Sequence, residues 1–231
     1  MRASERIPDR RTQRAPGAIP RSERPVRDLQ ASPPAPLPFA PSLSIRAFLL
    51  RRAAGNVLIY SAPTVAPETF ADAGAIARAY LNHRHEAGFG SDLPGVPLFV
   101  HEADRGATAR IRTVSDAFSQ RQTVDGDLEV IPTPGHTPGA TAYLWDSGAH
   151  RFLFTGDTIY LRDREWVAAV LDSSDRAAYL GSLELLRELD FDVLVPWAAT
   201  AGDPYHAVTG NAEARRRIDA IIARVRRGDD H

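Results

Sequence analysis

The sequence contains no cysteine, and all 28 of its basic side chains are arginine, since no lysine occurs anywhere. The absence of cysteine excludes disulfides, thiolate nucleophiles and Cys-ligated zinc. The absence of lysine excludes Schiff-base chemistry and the phosphate-binding lysine of P-loop proteins. Any metal in this protein must therefore be held by histidine and carboxylate side chains.

Long hydrophobic runs are also missing. No apolar stretch approaches the roughly 20 residues that a membrane span needs, and no continuous apolar segment follows the basic residues near the N-terminus. These absences predict a cytoplasmic protein without membrane contacts. With 231 residues, 43% of them hydrophobic, and a formal net charge of -1, the chain is long enough for one large domain with a proper core.

The first 41 residues differ in composition from the rest. The stretch MRASERIPDRRTQRAPGAIPRSERPVRD has 8 arginines against 4 acidic residues, so it carries +4 and leaves -5 for the remainder; the Pro-rich ASPPAPLPFAP follows shortly after it. Such a composition cannot bury enough apolar surface to offset its ordering entropy. Residues 1–41 are therefore predicted to be a disordered or extended arm. A solvated tail is favoured over a tether to RNA or a membrane surface, because the basic patch is weak.

Residues 42–231 are predicted to form a single α/β domain. The runs SIRAFLLRR and NVLIYSA, separated by AAGN, indicate a β-hairpin, and PLFVH, DLEVIPT, ATAYLWD and RFLFTGD indicate further short strands. Helical periodicity appears later, in SDRAAYLGSLELLREL, which opens on a Ser-Asp cap, and in NAEARRRIDAIIARVRR, with the strand FDVLVPW between them. Many strands with layers of helix are typical of a mixed α/β sandwich.

Four side chains stand where a metal ligand is expected. His83 and His85 in NHRHEAGFG are two residues apart, so on an extended segment both imidazoles point the same way. His136 lies in PTPGHTPGA, where Pro and Gly on both sides favour display from a tight turn. Asp157 in LFTGDTIY ends an apolar strand. Each has an ordinary structural explanation when taken singly, but together they form a ligand set that zinc accepts, with a position left open for water.

These motifs resemble a known family. NHRHEAGFG, PTPGHTPGATAYLW, FLFTGDTIY and FDVLVPW occur in the order and approximate spacing of the metallo-β-lactamase superfamily. The resemblance covers the chain from about Ser42 to the C-terminus. It implies a four-layer αβ/βα sandwich with metal ligands on loops at one edge of its two sheets. The PGHTPG loop is most similar to the hydroxyacylglutathione-hydrolase-like branch, which is the glyoxalase II-like group.

The sequence departs from the family at one half of the usual two-metal site. The family's Asp-His pair falls at Ala87 and Gly88, and the histidine of its closing PGHG element falls within Pro196–Ala199, at Ala198. The resemblance therefore implies a site for one divalent ion, with zinc preferred and iron or manganese as alternatives. Its ligands are then the following four side chains: His83, His85, His136 and Asp157.

Two further side chains are candidates to replace the missing ligands. Glu86 stands at the variable position of the motif, where it is interpreted as a ligand, a partner of a ligand, or a base. His206 follows the position of the lost histidine, and a surface role is the preferred interpretation for it.

The sequence supports two classes of function. In the first, the protein is a metal-dependent hydrolase of a small-molecule ester, thioester or lactone, in which Asp157, supported by Glu86, orients a water and takes up its proton. In the second, it is a non-catalytic protein of the same fold that binds a ligand or partner. Nucleic-acid cleavage is disfavoured, because the remainder of the chain carries -5 and the interval after Asp157 is too short for an inserted domain. Arg215, Arg216 and Arg217 are interpreted as the polar face of a terminal helix rather than a glutathione site.

Overall fold

The computed structural model describes residue 26 and residues 29–229. Its strands form three sheets, and within each sheet neighbouring strands are hydrogen-bonded in the following spatial order. The first contains β1 (Leu29–Ala31), β4 (Phe48–Leu50), β5 (Asn56–Ile59), β6 (Ile76–Tyr80), β7 (Leu98–His101) and β8 (Asp116–Phe118). The second contains β17 (Ala207–Val208), β15 (Val193–Pro196), β12 (Arg151–Gly156), β11 (Thr141–Asp146), β10 (Leu128–Pro132) and β9 (Gln122–Val124). The third contains β14 (Glu165–Val167), β13 (Tyr160–Arg162), β16 (Ala198–Thr200), β3 (Ala40–Ile45) and β2 (Ala35–Leu37).

The helices are α1 (Glu102–Thr108), α2 (Arg176–Arg187) and α3 (Asn211–Arg227), with 3₁₀ helices at Ala71–Ala73 and Arg84–Phe89. Helix α2 begins where predicted, because the carboxylate of Asp175 accepts a hydrogen bond from the backbone N–H of Ala178. None of the described helices has the length and apolar character to span a bilayer.

The two six-stranded sheets pack face to face through the largest apolar core. Alternation along each strand decides which side chains enter it, since neighbouring residues of a strand point to opposite faces. Phe48 and Ile59 of the first sheet thus join Tyr143 and Phe154 of the second in one buried cluster. Leu49, between two core residues, packs on the outer face instead.

The outer faces of these two sheets are covered by the remaining layers. Helices α2 and α3 cover the second sheet, where Leu183 and Ile218 pack with Leu153. On the first sheet the cover is thinner and contains Phe70 and Ala87, the latter from the 3₁₀ helix Arg84–Phe89. The predicted four-layer αβ/βα architecture is therefore confirmed, with short 3₁₀ helices in place of long helices on one side.

The predicted boundary at Ser42 requires correction. Strand β1 pairs with β4 and strand β2 pairs with β3, so residues 29–37 belong to the sheets rather than to an arm. Leu29 and Leu37 are only 7% and 5% exposed. The Pro-rich composition concealed these strands, because alternating residues such as Ala35 and Leu37 are buried while the proline between them faces outward. The preceding part of the predicted arm, residues 1–28 except Val26, lies outside the described residues.

The predicted hairpin is confirmed in β4 and β5, which pair in antiparallel fashion. Its first run is longer than one strand, however. Ser44 and Ile45 belong to β3 in the third sheet, and the chain passes from that sheet to the first one at Arg46 and Ala47. This crossover connects the third sheet directly to the first one.

Candidate metal centre

The three predicted histidines converge at one place. His83 and His85 follow β6 of the first sheet, and His136 follows β10 of the second. One potential ligand atom of each lies within 4.8 Å of the others. Segments separated by about fifty residues of chain therefore present three imidazoles to a single point.

The tautomer of His83 is fixed by its neighbours. Its Nδ1 lies 3.0 Å from Oδ1 of Asn82 and 3.3 Å from Oε1 of Glu86. The side-chain amide nitrogen of Asn82 donates to the carbonyl of Thr141, so its oxygen is the atom that accepts from the ring. Because Nδ1 is thus the donor, the neutral ring keeps its lone pair on Nε2. That Nε2 is buried and has no hydrogen-bond partner in the part of the chain that the structure describes.

The second sheet fixes His136 in the same way. Its Nδ1 lies 2.7 Å from the carbonyl oxygen of Ala169, an acceptor only, so Nδ1 carries the proton. The lone pair on Nε2 then faces Nδ1 of His85 at 3.2 Å. The Gly135 backbone makes this turn possible, because φ is +142° there and a Cβ would lie 2.4 Å from Cα of Tyr179.

The rings of His83 and His85 are kept uncharged by their surroundings. Burial, followed by the positive potential of His136 and His85, holds the pKa of His83 well below its usual value. Burial and the neighbouring His136 and Arg84 lower the pKa of His85 to about 4. Neutral imidazole is the form that binds metal ions, so His83 and His85 are in the ligand form at neutral pH.

This donor set fits a divalent metal ion. A buried imidazole nitrogen without a partner leaves hydrogen-bonding capacity unused, which native interiors rarely tolerate without an explanation. Nε2 of His83, Nδ1 of His85 and Nε2 of His136 are arranged so that one ion can accept all three lone pairs. Hydrogen bonds from the opposite ring nitrogens of His83 and His136 orient them, as is usual for histidine ligands.

Asp157 lies beside the histidines, at the end of β12. Its Oδ2 is 3.5 Å from Nε2 of His83 and 3.6 Å from Nε2 of His136, and its side chain is 18% exposed. Burial raises the pKa of this carboxyl, and the nearby His136 acts in the opposite direction. Gly156 before it has φ of +55°, and a Cβ there would lie 2.0 Å from the side chain of Asn82. Gly156 of the TGD motif and Asn82, which orients His83, are therefore packed directly against each other.

Of the three interpretations of Glu86, its contacts favour the partner of a ligand over the ligand or the base. Its carboxylate is fully buried and accepts hydrogen bonds from the backbone N–H groups of Asn82 and Ser61, at 2.9 and 3.0 Å. It contacts the Nδ1 side of His83, whereas the Nε2 side faces the other histidines. Burial raises the pKa of Glu86 well above its usual value. Glu86 thus stands behind His83, where it orients the ring and does not reach the point at which the lone pairs meet.

Apolar groups surround the positions where the family carries its other ligands. Ala87 is fully buried beneath the first sheet, and Ala198 is 3% exposed. The indole of Trp197 packs edge-on against His83, with ring centroids 5.5 Å apart, and donates to the carbonyl of Ser61. It also packs against Phe89. These residues offer no charged oxygen to the site, whereas Asp157 offers one.

The remaining sequence candidates lie elsewhere. His206 is not part of the histidine group and lines a separate cavity with Arg164 and Trp166. Arg216 and Arg217 form ion pairs with Glu213 on the same helix, as expected for its polar face.

Sequence reasoning missed Asp104, which joins the two ligand-bearing loops. This carboxylate is 1% exposed and accepts from the backbone N–H of Arg84 at 2.9 Å, between the two histidines of the first loop. It also accepts from the hydroxyl of Thr137 at 2.6 Å and from the N–H of Gly139 at 3.2 Å, in the loop of His136. No local sequence signal could have identified it, because its role depends on contacts across 33 to 35 residues of chain.

A cavity of about 550 Å³ opens beside the histidines, and His85, His136 and Asp157 form part of its wall. Most of the remaining wall is apolar and comes from the third sheet and its neighbouring loops. Sequence reasoning missed this wall as well, because Leu37, Phe39 and Ala40 fall in the segment predicted to be an arm. The alternation of apolar residues within ASPPAPLPFAP was the available signal.

Comparisons with solved structures agree with this fold. A metallo-β-lactamase from Hirschia baltica is 15% identical, with 84% of this chain and 94% of that chain covered and a TM-score of 0.64. An archaeal metallo-β-lactamase superfamily protein from Sulfolobus tokodaii is 16% identical, covering 85% and 86% of the two chains with a TM-score of 0.60. AidC, a dizinc quorum-quenching lactonase bound to its N-hexanoyl-L-homoserine product, is 14% identical over 73% and 76% of the chains, with a TM-score of 0.53.

The curated proteins include no match to this sequence. The family model described as the metallo-beta-lactamase superfamily matches residues 49–198, which is more than half of the chain. That range contains the three histidines, Asp157 and most of both six-stranded sheets, whose outermost strands β1 and β17 lie outside it. On this evidence, and in agreement with the fold, the chain belongs to the metallo-β-lactamase superfamily.

Proposed function

We propose that the protein is a hydrolase that uses one divalent metal ion to cleave an ester, thioester or lactone. Zinc is the preferred ion, with iron or manganese as alternatives, and the ligands are His83, His85 and His136. The observation that carries this proposal is the buried Nε2 of His83, which has no hydrogen-bond partner among the described residues and faces two other imidazole nitrogens at the wall of a cavity. Family membership supports the reaction class, since metallo-β-lactamase superfamily members are metal-dependent hydrolases.

A divalent ion bound by three neutral ligands supplies Lewis acidity, which lowers the pKa of a water toward ~7 and polarises a carbonyl group. The chain's own residues supply orientation. Asn82 and Glu86 hold His83, and the carbonyl of Ala169 holds His136, so their lone pairs stay directed at one point.

Asp157 is proposed to act as the general base. Its carboxylate lies at the wall of the cavity and within 3.6 Å of two ligand nitrogens, so it can accept a proton from a water placed between it and a substrate. Esters, thioesters and lactones suit such a site better than amides, because their leaving groups depart with little protonation.

The PGHTPG loop resembles that of the glyoxalase II-like branch, but a glutathione thioester is not proposed as the substrate. Arg215, Arg216 and Arg217 pair with Glu188 and Glu213, and none of them lines the cavity. These three arginines are therefore engaged in ion pairs away from the cavity.

The proposal is tested by stripping the purified protein of metal, reloading it separately with Zn²⁺, Fe²⁺ and Mn²⁺, and measuring hydrolysis of one generic ester, thioester and lactone. At least one ion should restore activity, and His85→Ala should abolish both binding and activity. His85 suits this purpose because it is only partly buried. His101→Asn is the matched control. His101 caps α1 by accepting from the N–H of Ala103, and asparagine caps equally well.

A protein that binds the ion through these histidines but hydrolyses none of the three substrate classes would contradict the proposal. That outcome would favour the non-catalytic alternative, in which the same fold binds a ligand or partner.

A further inference from the structure

The cavity beside the histidines has an unusual wall for a protein so rich in arginine. Its lining consists of apolar and aromatic side chains apart from His85, His136 and Asp157. The apolar part includes Leu37, Leu43, Phe89, Val170 and Trp197, with the phenol of Tyr160 as its other polar group. No arginine lines it among the described residues, although the chain contains 28.

The mouth of this cavity is apolar as well. Phe39 and Leu171 both line it, and both are strongly exposed, at 76% and 43%. They come from different parts of the chain: Phe39 from the turn between β2 and β3, and Leu171 from the loop before α2. Phe39 also contacts Phe89, with ring centroids 6.4 Å apart. Large apolar side chains left in water around a cavity are typical of a binding site for an apolar ligand.

The lack of cationic side chains in the wall disfavours anionic substrate groups. An anionic group in the part of the cavity away from the histidines would lose its hydration without gaining a cation from the protein wall. An uncharged hydrocarbon group, in contrast, gains free energy in proportion to the surface it buries against Leu43, Phe89 and Trp197.

We infer that the substrate is an uncharged ester, thioester or lactone whose hydrocarbon chain occupies this cavity, with Phe39 and Leu171 closing over its outer end. This inference rests on the proposed function and names its substrate class. It makes Phe39 and Leu43 specificity-determining residues, and it assigns a role to the turn between β2 and β3.

Hydrolysis by the metal-loaded protein is first measured on straight-chain p-nitrophenyl esters from acetate to octanoate, together with a glutarate monoester that carries a free carboxylate. The ratio kcat/KM should rise about fourfold per added methylene group until the cavity is filled. The carboxylated ester should be at least 100-fold poorer than the uncharged ester of similar length. A flat response to chain length, or a preference for the carboxylated ester, would overturn the inference and leave the proposed function standing.

Binding is measured separately with uncharged primary amides from butanamide to octanamide, which resist hydrolysis. Trp197 lines the cavity, so its fluorescence reports occupancy in both the metal-free and the metal-loaded protein. The Kd should fall about fourfold per methylene group. Chain-dependent binding without hydrolysis of any ester would support the apolar cavity and contradict the proposed function; the absence of binding would overturn the inference.

Variants connect these effects to the cavity mouth. Phe39→Ala should weaken octanamide binding at least fivefold and flatten the chain-length series. Ile111→Ala is the matched control, since Ile111 is also a large exposed apolar residue, at 59%, but does not line the cavity. Because both positions are exposed, neither variant should impair folding. Equal effects of the two variants would overturn the assignment of Phe39.

Discussion

The hydroxyl of Thr137 donates a 2.6 Å hydrogen bond to the carboxylate of Asp104, a buried residue of helix α1. The same carboxylate accepts from the backbone N–H of Arg84. One acid therefore holds the loop of His83 and His85 against the loop of His136, and the spacing of the three ligands depends on it.

Replacing Asp104 with asparagine should weaken metal binding at least tenfold. An amide has only one acceptor atom, so its NH2 group would face a backbone N–H that now donates to a carboxylate oxygen. Competition with a chelator measures the affinity, and the Co²⁺ absorption spectrum reports the ligand geometry. Glu102→Gln on the same helix is the control, because Glu102 is exposed and pairs with Arg105 across the helix surface. Unchanged affinity and spectrum in Asp104→Asn would show that the contact is only structural.

The protein should retain about one equivalent of zinc after loading in excess and desalting. The three histidines provide one ligand set, while Ala87, Gly88 and Ala198 provide no donor side chain for a second. Elemental analysis against protein concentration gives the ratio. A stable value near two would mean that another group completes a second site.

Asp157→Asn should reduce kcat by about 10²- to 10⁴-fold while the zinc content stays near one equivalent. The substitution keeps the size of the side chain but removes its capacity to take up a proton. Loss of zinc in parallel with activity would instead identify Asp157 as an essential ligand, in line with the interpretation of its sequence motif.

A chain that begins at Pro41 should melt about 10 °C or more below the full chain. It lacks β1 and β2, and loss of the buried Leu29 and Leu37 alone removes about 3 to 6 kcal/mol of apolar burial. A chain beginning at Val26 is the comparison, and the composition of residues 1–25 predicts that it melts within a few degrees of the full chain. Equal melting temperatures of all three chains would mean that the folded domain begins at about Ser42, as the sequence predicted.

Asp127→Asn should lower the free energy of unfolding at neutral pH by about 2 kcal/mol, because it removes a charged partner of Arg52, whose side chain is 1% exposed. Burial raises the pKa of Asp127, but its hydrogen bond and ion pair with Arg52 outweigh burial and hold the pKa below its usual value. Its contribution is therefore complete above the unfolded pKa near ~4 and disappears as the pH falls through the lower folded value.

Denaturant unfolding of Asp127→Asn and the natural protein from pH 7 to pH 2 measures this effect. The difference between them should be constant down to about pH 5 and should shrink below about pH 4. The control Asp72→Asn breaks an ion pair in which both side chains are more than half exposed, and should change stability by less than about 1 kcal/mol. A pH-independent difference for Asp127→Asn would contradict the ionic explanation.

The parts of the molecule that local sequence predicts are those fixed by local chemistry. The capping residue Asp175, the hairpin of β4 and β5, and the three histidines all followed from spacing and turn composition. The orientation of Glu86 did not, because the backbone N–H groups of Asn82 and Ser61 hold its carboxylate behind His83. The strands at 29–37 were missed because burial of alternate residues outweighed a Pro-rich composition that predicts disorder.

The apolar cavity wall and the histidines come from different sheets, which affects how the protein can evolve. The histidines and Asp157 stand at strand ends of the two central sheets, whereas Leu37, Leu43 and Tyr160 belong to the third, peripheral sheet. Ligand geometry and cavity shape are thus encoded by separate segments of the chain. Substitutions in the peripheral sheet can exchange one substrate for another and leave the ion's ligands in place, so selectivity can diverge among descendants of this protein faster than reaction chemistry.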